Sequence, residues 1–234
     1  MTVFIRYQIL SYIRSLTFIP PVTVLLGWVF ILYAYKNVSI LSSYAISSVA
    51  IYLTMTWIAM GIFQIDGDSE KHILFFTIGK KSLFVLGKFL TCFLVWIPLF
   101  LFAEFFPLVT HSFNGEMTLI HAGLSLYSHF ILGMLGVIIG ALCSATKLST
   151  KRYAWLTAVL ILVISMATPS ILEGVSALRY VLWLFPPVTQ VITYLNQGDG
   201  IHLSSLFWVE TSLVLIYVAI GYIAITWLIL KREH

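Results

Sequence analysis

The residues able to do chemistry are few and widely spaced. At 79–82 the run GKKS ends like a phosphate-binding loop, but the pattern G-x-x-x-x-G-K-[ST] needs glycine where Leu74 stands and a hydroxyl where Lys81 stands. Without that first glycine the backbone cannot wrap the phosphates. Gly123, Leu124 and Ser125 form a G-x-S in an apolar run, yet the last apolar run holds no histidine and His202 precedes it. A serine without a positioned base is a poor nucleophile. HExxH and adjacent acidic residues do not occur. His111, His121, His129 and His202 lack the helical spacing of metal ligands, so they are expected at the surface with no metal site among them. Cys92 and Cys143 lie in or at the end of apolar runs without a CxxC and are expected to be small packing residues. Two carboxylates stand out. Glu104 and Glu210 fall near the ends of apolar runs, where burying a charge is costly unless it is hydrated or paired. They either line a polar passage or simply reach interfacial water.

The elements that must hold these residues are membrane helices. Of 234 residues, 60% are hydrophobic and 9% charged, against roughly 45–50% and about 25% in ordinary soluble domains. A hydrocarbon core of about 30 Å takes roughly 20 apolar helical residues to cross. Apolar runs at 17–35, 44–65, 83–107, 122–145, 154–171 and 206–230 meet that length. The fold class expected is all-α, a polytopic protein of six transmembrane helices in one domain spanning 1–234, because only helices satisfy their own backbone in lipid. With the amino terminus inside, Arg6, Arg14, Lys71, Lys80, Lys81, Lys88, Lys147, Lys151, Arg152, Lys231 and Arg232 share one side, and Lys36 and Arg179 the other. Eleven against two places both termini in the cytoplasm.

Residues 1–16 set Phe4, Ile5, Ile9, Tyr12, Ile13 and Leu16 near one face and Arg6, Gln8 and Arg14 elsewhere, as in an interfacial helix. No A-x-A-like site follows, so a cleavable signal peptide is not expected. Pro98 and the pair Pro20 and Pro21 are expected inside spans as tolerated kinks. Gly133, Gly136 and Gly140 with Ser144 make a small-residue stripe suited to close helix packing. The connection 66–82 opens with acids, continues apolar and closes on Gly79, Lys80 and Lys81, with Lys88 opening the next span; a short helix held at the inner surface by its cations fits. Residues 172–205 are apolar but broken by Pro186, Pro187, Gly198 and Gly200, which predicts an outer re-entrant or interfacial segment.

In this arrangement the chain resembles the membrane-spanning subunits of type-2 ABC exporters, bacterial relatives of the ABCG fold. The likeness covers the amino-terminal connector, the six spans, the broken outer segment and, most closely, the acid, apolar, glycine and lysine order from Glu70 to Lys88. It implies that Glu70, Lys71, His72, Ile73, Leu74, Phe75 and Phe76 form a cytoplasmic coupling helix contacting a separate ABC-type ATPase. ATP and Mg would then bind that partner, this chain would hold no cofactor and catalyse nothing itself, and a second permease copy or homologue would complete the pathway. Members of this size accompany peptide antibiotics, toxins and bacteriocins in the bacterial cell membrane. The expected function is export of a peptide or other amphipathic cargo, with Glu104, Glu210, Pro186 and Pro187 as exit or gate candidates and no nucleic acid partner. The alternative is a membrane immunity or sensor protein that binds a toxin without moving it.

Overall fold

A computed structural model describes residues 1–145, 151–196 and 205–232. It is a chain of helices: α1 (Thr2–Arg14), α2 (Ile19–Leu32), α3 (Ile40–Gln64), α4 (Asp68–Ile78), α5 (Lys81–Val109), α6 (Leu119–Ala145), α7 (Lys151–Gly174), a 3-10 turn (Ser176–Leu178), α8 (Arg179–Leu182), α9 (Val188–Thr193) and α10 (Ser205–Arg232). Among the described residues the strand-like pairing is one bridge, Val38 to Phe113, closing the α2–α3 turn onto the α5–α6 turn. Part of the basic stretch after α6, with Lys147, and the expected turn at Gly198 and Gly200, with His202, lie outside the described residues.

Helices α3, α5, α6, α7 and α10 are each long and apolar enough to cross a membrane, and α1 with α2 makes a sixth if that bent pair counts as one span. Several such helices mark a membrane-embedded protein. At 1.5 Å per residue, the 14 residues of α2 cover only about 21 Å. It leaves α1 at 79°. Pro20 and Pro21 sit in the first turn of α2 rather than inside a span. The first turn has no intrahelical acceptors for its N–H groups, so proline loses nothing there. Pro98 is inside α5 as expected, and Pro107 joins it.

The centre of the bundle is the α3–α6 pair. Gly136 and Gly140 put the α6 backbone against that of α3: a Cβ at Gly136 would lie 2.5 Å from the Tyr52 carbonyl oxygen, and one at Gly140 would lie 2.4 Å from that of Thr56. Gly133 faces the Trp96 indole of α5 instead. The stripe therefore serves two neighbours. By contrast α7 and α10 leave most of their apolar surface uncovered. At the Val38 end, Tyr33, Tyr44 and Phe113 pack edge to face, and Ser112 Oγ donates to the Tyr33 carbonyl.

Candidate functional site

The short helix α4 is built to present one face. Asp66 and Gly67 follow α3, and the Gly67 N–H donates to Glu70 Oε2 at 3.3 Å, so the acidic start of the segment caps the helix. Gly79 stops it: its φ of 75° is left-handed, and its N–H donates to the Phe75 carbonyl at 3.0 Å. Between them, Leu74, Phe75 and Ile78 pack on the core while Ile73 and Phe76 face away. The Phe75 ring lies 4.7 Å from that of Phe84 on α5, with Lys81 Nζ 5.8 Å from its centroid. Phe76 is 94% exposed. A helix turns about 100° per residue, so neighbouring phenylalanines cannot share a face. The pair thus divides into an anchor, Phe75, and a free tip, Phe76. Glu70 also accepts a hydrogen bond from the Tyr7 hydroxyl of α1. Lys71 lines a small crevice with Phe63, Phe75, Phe84 and Lys88, and His72 falls within the helix.

Beneath α4 is a buried charged node that sequence reasoning missed. Lys88 is 1% exposed, and its Nζ lies 2.6 Å from Asp66 Oδ2. The ammonium also donates to the Ile62 carbonyl at 2.6 Å and lies over the rings of Phe63 and Phe84. Gln8 Nε2 donates to Asp66 Oδ1 at 2.9 Å. Lys88 is therefore not a surface cation at the start of a span, because α5 begins two turns earlier and carries it inside. Gln8 is likewise not on a polar face. The buried side of α1 is Phe4, Gln8 and Tyr12, four residues apart, with Phe4 over Gly87 and Tyr12 over Gly61. Ile13 and Leu16, expected on the apolar face of an interfacial helix, are not covered by the bundle. The i+4 spacing of Phe4, Gln8 and Tyr12 was the available signal, obscured because the central residue is polar.

A second polar cluster sits where α3, α5 and α6 meet. Ser125 Oγ donates to Glu104 Oε2 at 2.5 Å. His129, one turn further along α6, brings Nδ1 to 2.8 Å from the Ser125 carbonyl and Nε2 to 2.9 Å from Ser47 Oγ. Trp96 Nε1 donates to the His129 carbonyl. Against expectation, His121 and His129 are buried. His121 Nδ1 accepts the Thr118 N–H and so helps to cap α6. A histidine does therefore lie beside Ser125, at a spacing the sequence allowed. Its Nδ1 lies 3.2 Å from Ser125 Oγ and closer, at 2.8 Å, to the Ser125 carbonyl, which can only accept; the tautomer that satisfies the carbonyl puts the proton on Nδ1. Buried polar groups of this kind are stable when mutually satisfied, and here they tie three helices together.

Glu104 is therefore buried against α6, with the Tyr44 hydroxyl of α3 on its carbonyl. Glu210, half-buried on α10, accepts the Tyr194 hydroxyl at 2.7 Å. Pro186 and Pro187 separate α8 from α9 and line a cavity of about 490 Å³ shared with α7 and α10, whose walls include neither carboxylate. The four exit candidates thus occupy three places. Among the described residues no group of three or more His, Cys, Asp or Glu side chains is placed to hold a metal ion. No protein-family model, curated protein or solved structure matches this chain.

Proposed function

We propose that this chain is the membrane-spanning subunit of an ATP-driven exporter of the type-2 ABC kind, with α4 as the docking element for a separate ATPase that holds ATP and Mg. The observation that carries this reading is the uncovered tip of Ile73 and Phe76 on a helix otherwise fastened to the core by Phe75 and to α1 by the Tyr7 and Glu70 hydrogen bond. A short helix clamped on one side and apolar on the other transfers a push to the spans rather than absorbing it. The positive-inside count favours the cytoplasm for α4 and both termini. The uncovered faces of α7 and α10 suit lipid or a second permease chain. Export of a peptide or other amphipathic cargo from a bacterial cell follows from the family resemblance.

Affinity purification of the tagged chain from native membranes should recover an ABC-type ATPase. The double substitution Ile73→Ala and Phe76→Ala should cut that recovery several-fold while leaving insertion and folding intact; Phe75→Ala should instead lower stability. Recovery unchanged by the tip variant would remove α4 from the docking role. Absence of any ATPase would favour a toxin-binding protein that does not pump.

Orientation has its own check. In a background lacking Cys92 and Cys143, cysteine at Lys81 should be protected from an impermeant thiol reagent in intact cells, and cysteine at Asn114 should react. Labelling at position 81 would invert the arrangement.

A further inference from the structure

The cavity under the broken segment has a lining that specifies a ligand. Its volume of about 490 Å³ lies within the roughly 300–1,000 Å³ of small-molecule sites. Leu213, Ile216 and Trp183 give it apolar walls, and Tyr217 closes one side by donating to the Leu184 carbonyl at 3.1 Å. Polar side chains break this surface, among them Thr168, Thr189, Arg179 and Gln190. Arg179 brings a guanidinium, and Gln190 brings a buried side-chain oxygen that accepts no hydrogen bond from the described residues. An unsatisfied buried acceptor is costly unless a ligand donates to it. Leu213 and Ile220 on the α10 wall lie about 12 and 22 Å from the start of that helix at 1.5 Å per residue. The cavity thus lies beside the first half of a helix long and apolar enough to cross a membrane, between α7 and α10, whose outer faces are apolar and uncovered.

We infer that this cavity binds an anionic, hydroxyl-bearing membrane lipid of the phosphatidylglycerol kind. One acyl chain lies along Leu213 and Ile216, the phosphate accepts from Arg179, and a headgroup hydroxyl donates to Gln190 Oε1. Charge complementarity selects the anion, because a guanidinium binds phosphate through paired charge-assisted hydrogen bonds. The continuous apolar faces of α7 and α10 select a lipid over a soluble anion, since a chain can enter sideways from the bilayer. Exposed Tyr180 and Trp183 beside Arg179 suit headgroup level. The assignment does not depend on an ATPase, so it can fail while the exporter reading stands, and the reverse.

The test uses the full chain in neutral detergent, titrated with phosphatidylglycerol or phosphatidylcholine of equal chain length, with bound lipid counted by native mass spectrometry. Phosphatidylglycerol should bind roughly five- to tenfold more tightly. Arg179→Gln, at an exposed position that does not threaten folding, should abolish that preference. Leu213→Trp should fill the cavity and weaken both lipids. Glycerol phosphate alone should not compete. Equal binding of the two lipids to the native chain, or a preference that survives Arg179→Gln, would overturn the assignment. Competition by glycerol phosphate would leave a bare anion site, and an acidic peptide alone separating native from Arg179→Gln would make the occupant cargo; either result also overturns it.

Discussion

Lys88→Ala is expected to destabilise the protein by about 3–5 kcal/mol, because it leaves the Asp66 carboxylate buried without its cation. The two charges are in contact at 2.6 Å and both are shielded from solvent. Removing both should cost far less than removing one. Lys88→Met with Asp66→Leu should recover most of the loss, since a buried pair replaced by apolar groups of similar size is often neutral or stabilising. Recovery should be complete only when Gln8→Leu is added, because Gln8 otherwise loses the acceptor for its amide. Unfolding midpoints in detergent for the single, double and triple variants give the comparison. If Lys88→Ala lay within about 1 kcal/mol of the native chain, as exposed ion pairs do, the node would be solvated and the account of it wrong. The energetics also bear on coupling. Asp66 lies two residues before α4, Gln8 on α1 and Lys88 on α5, so one charged contact registers all three against the end of α3.

Gly140→Ala is expected to destabilise by about 1–3 kcal/mol, the usual range for forcing a methyl into a filled core. The new Cβ would lie 2.4 Å from the Thr56 carbonyl oxygen and 2.8 Å from the Ala59 Cβ. Neither is the flexible end of a long side chain, so the helices must separate. Gly136→Ala should behave alike, its Cβ meeting the Tyr52 carbonyl oxygen at 2.5 Å. Gly27 supplies the control: it lies mid-helix in α2 with nothing within 4 Å of an added Cβ. There alanine should be neutral or mildly stabilising, because glycine is the poorer helix former by about 1 kcal/mol. Thermal unfolding of the three single variants separates the cases. A Gly140→Ala protein as stable as Gly27→Ala would mean that α3 and α6 are not in backbone contact.

The identity of the helices is a local property, and local properties are written in the sequence. Runs of roughly twenty apolar residues have few alternatives to a helix in lipid. For that reason α3, α5, α6, α7 and α10 appear close to their expected limits. Gly79 ends α4 because a left-handed residue is needed there, and Pro186 and Pro187 interrupt the segment before α10 because proline cannot continue a helix. The glycine stripe was legible for the same reason: a missing side chain is visible without knowing the partner. Even the division of Phe75 from Phe76 follows from helical rotation alone.

What composition could not decide is which distant residues meet. Asp66 lies 22 residues from Lys88 and 58 from Gln8, and each reads singly as a surface feature; burial becomes tolerable only when the three come together. Glu104 read as either an exit or an interfacial carboxylate because its position near a span end was known and its neighbours were not. Packing of α5 against α6 turns it toward Ser125. The cavity lined by Arg179 and Gln190 is likewise a property of four elements at once. Hydropathy selects the phase a helix enters, whereas the pairing of polar groups depends on rotation and contact between helices, which only the tertiary structure sets.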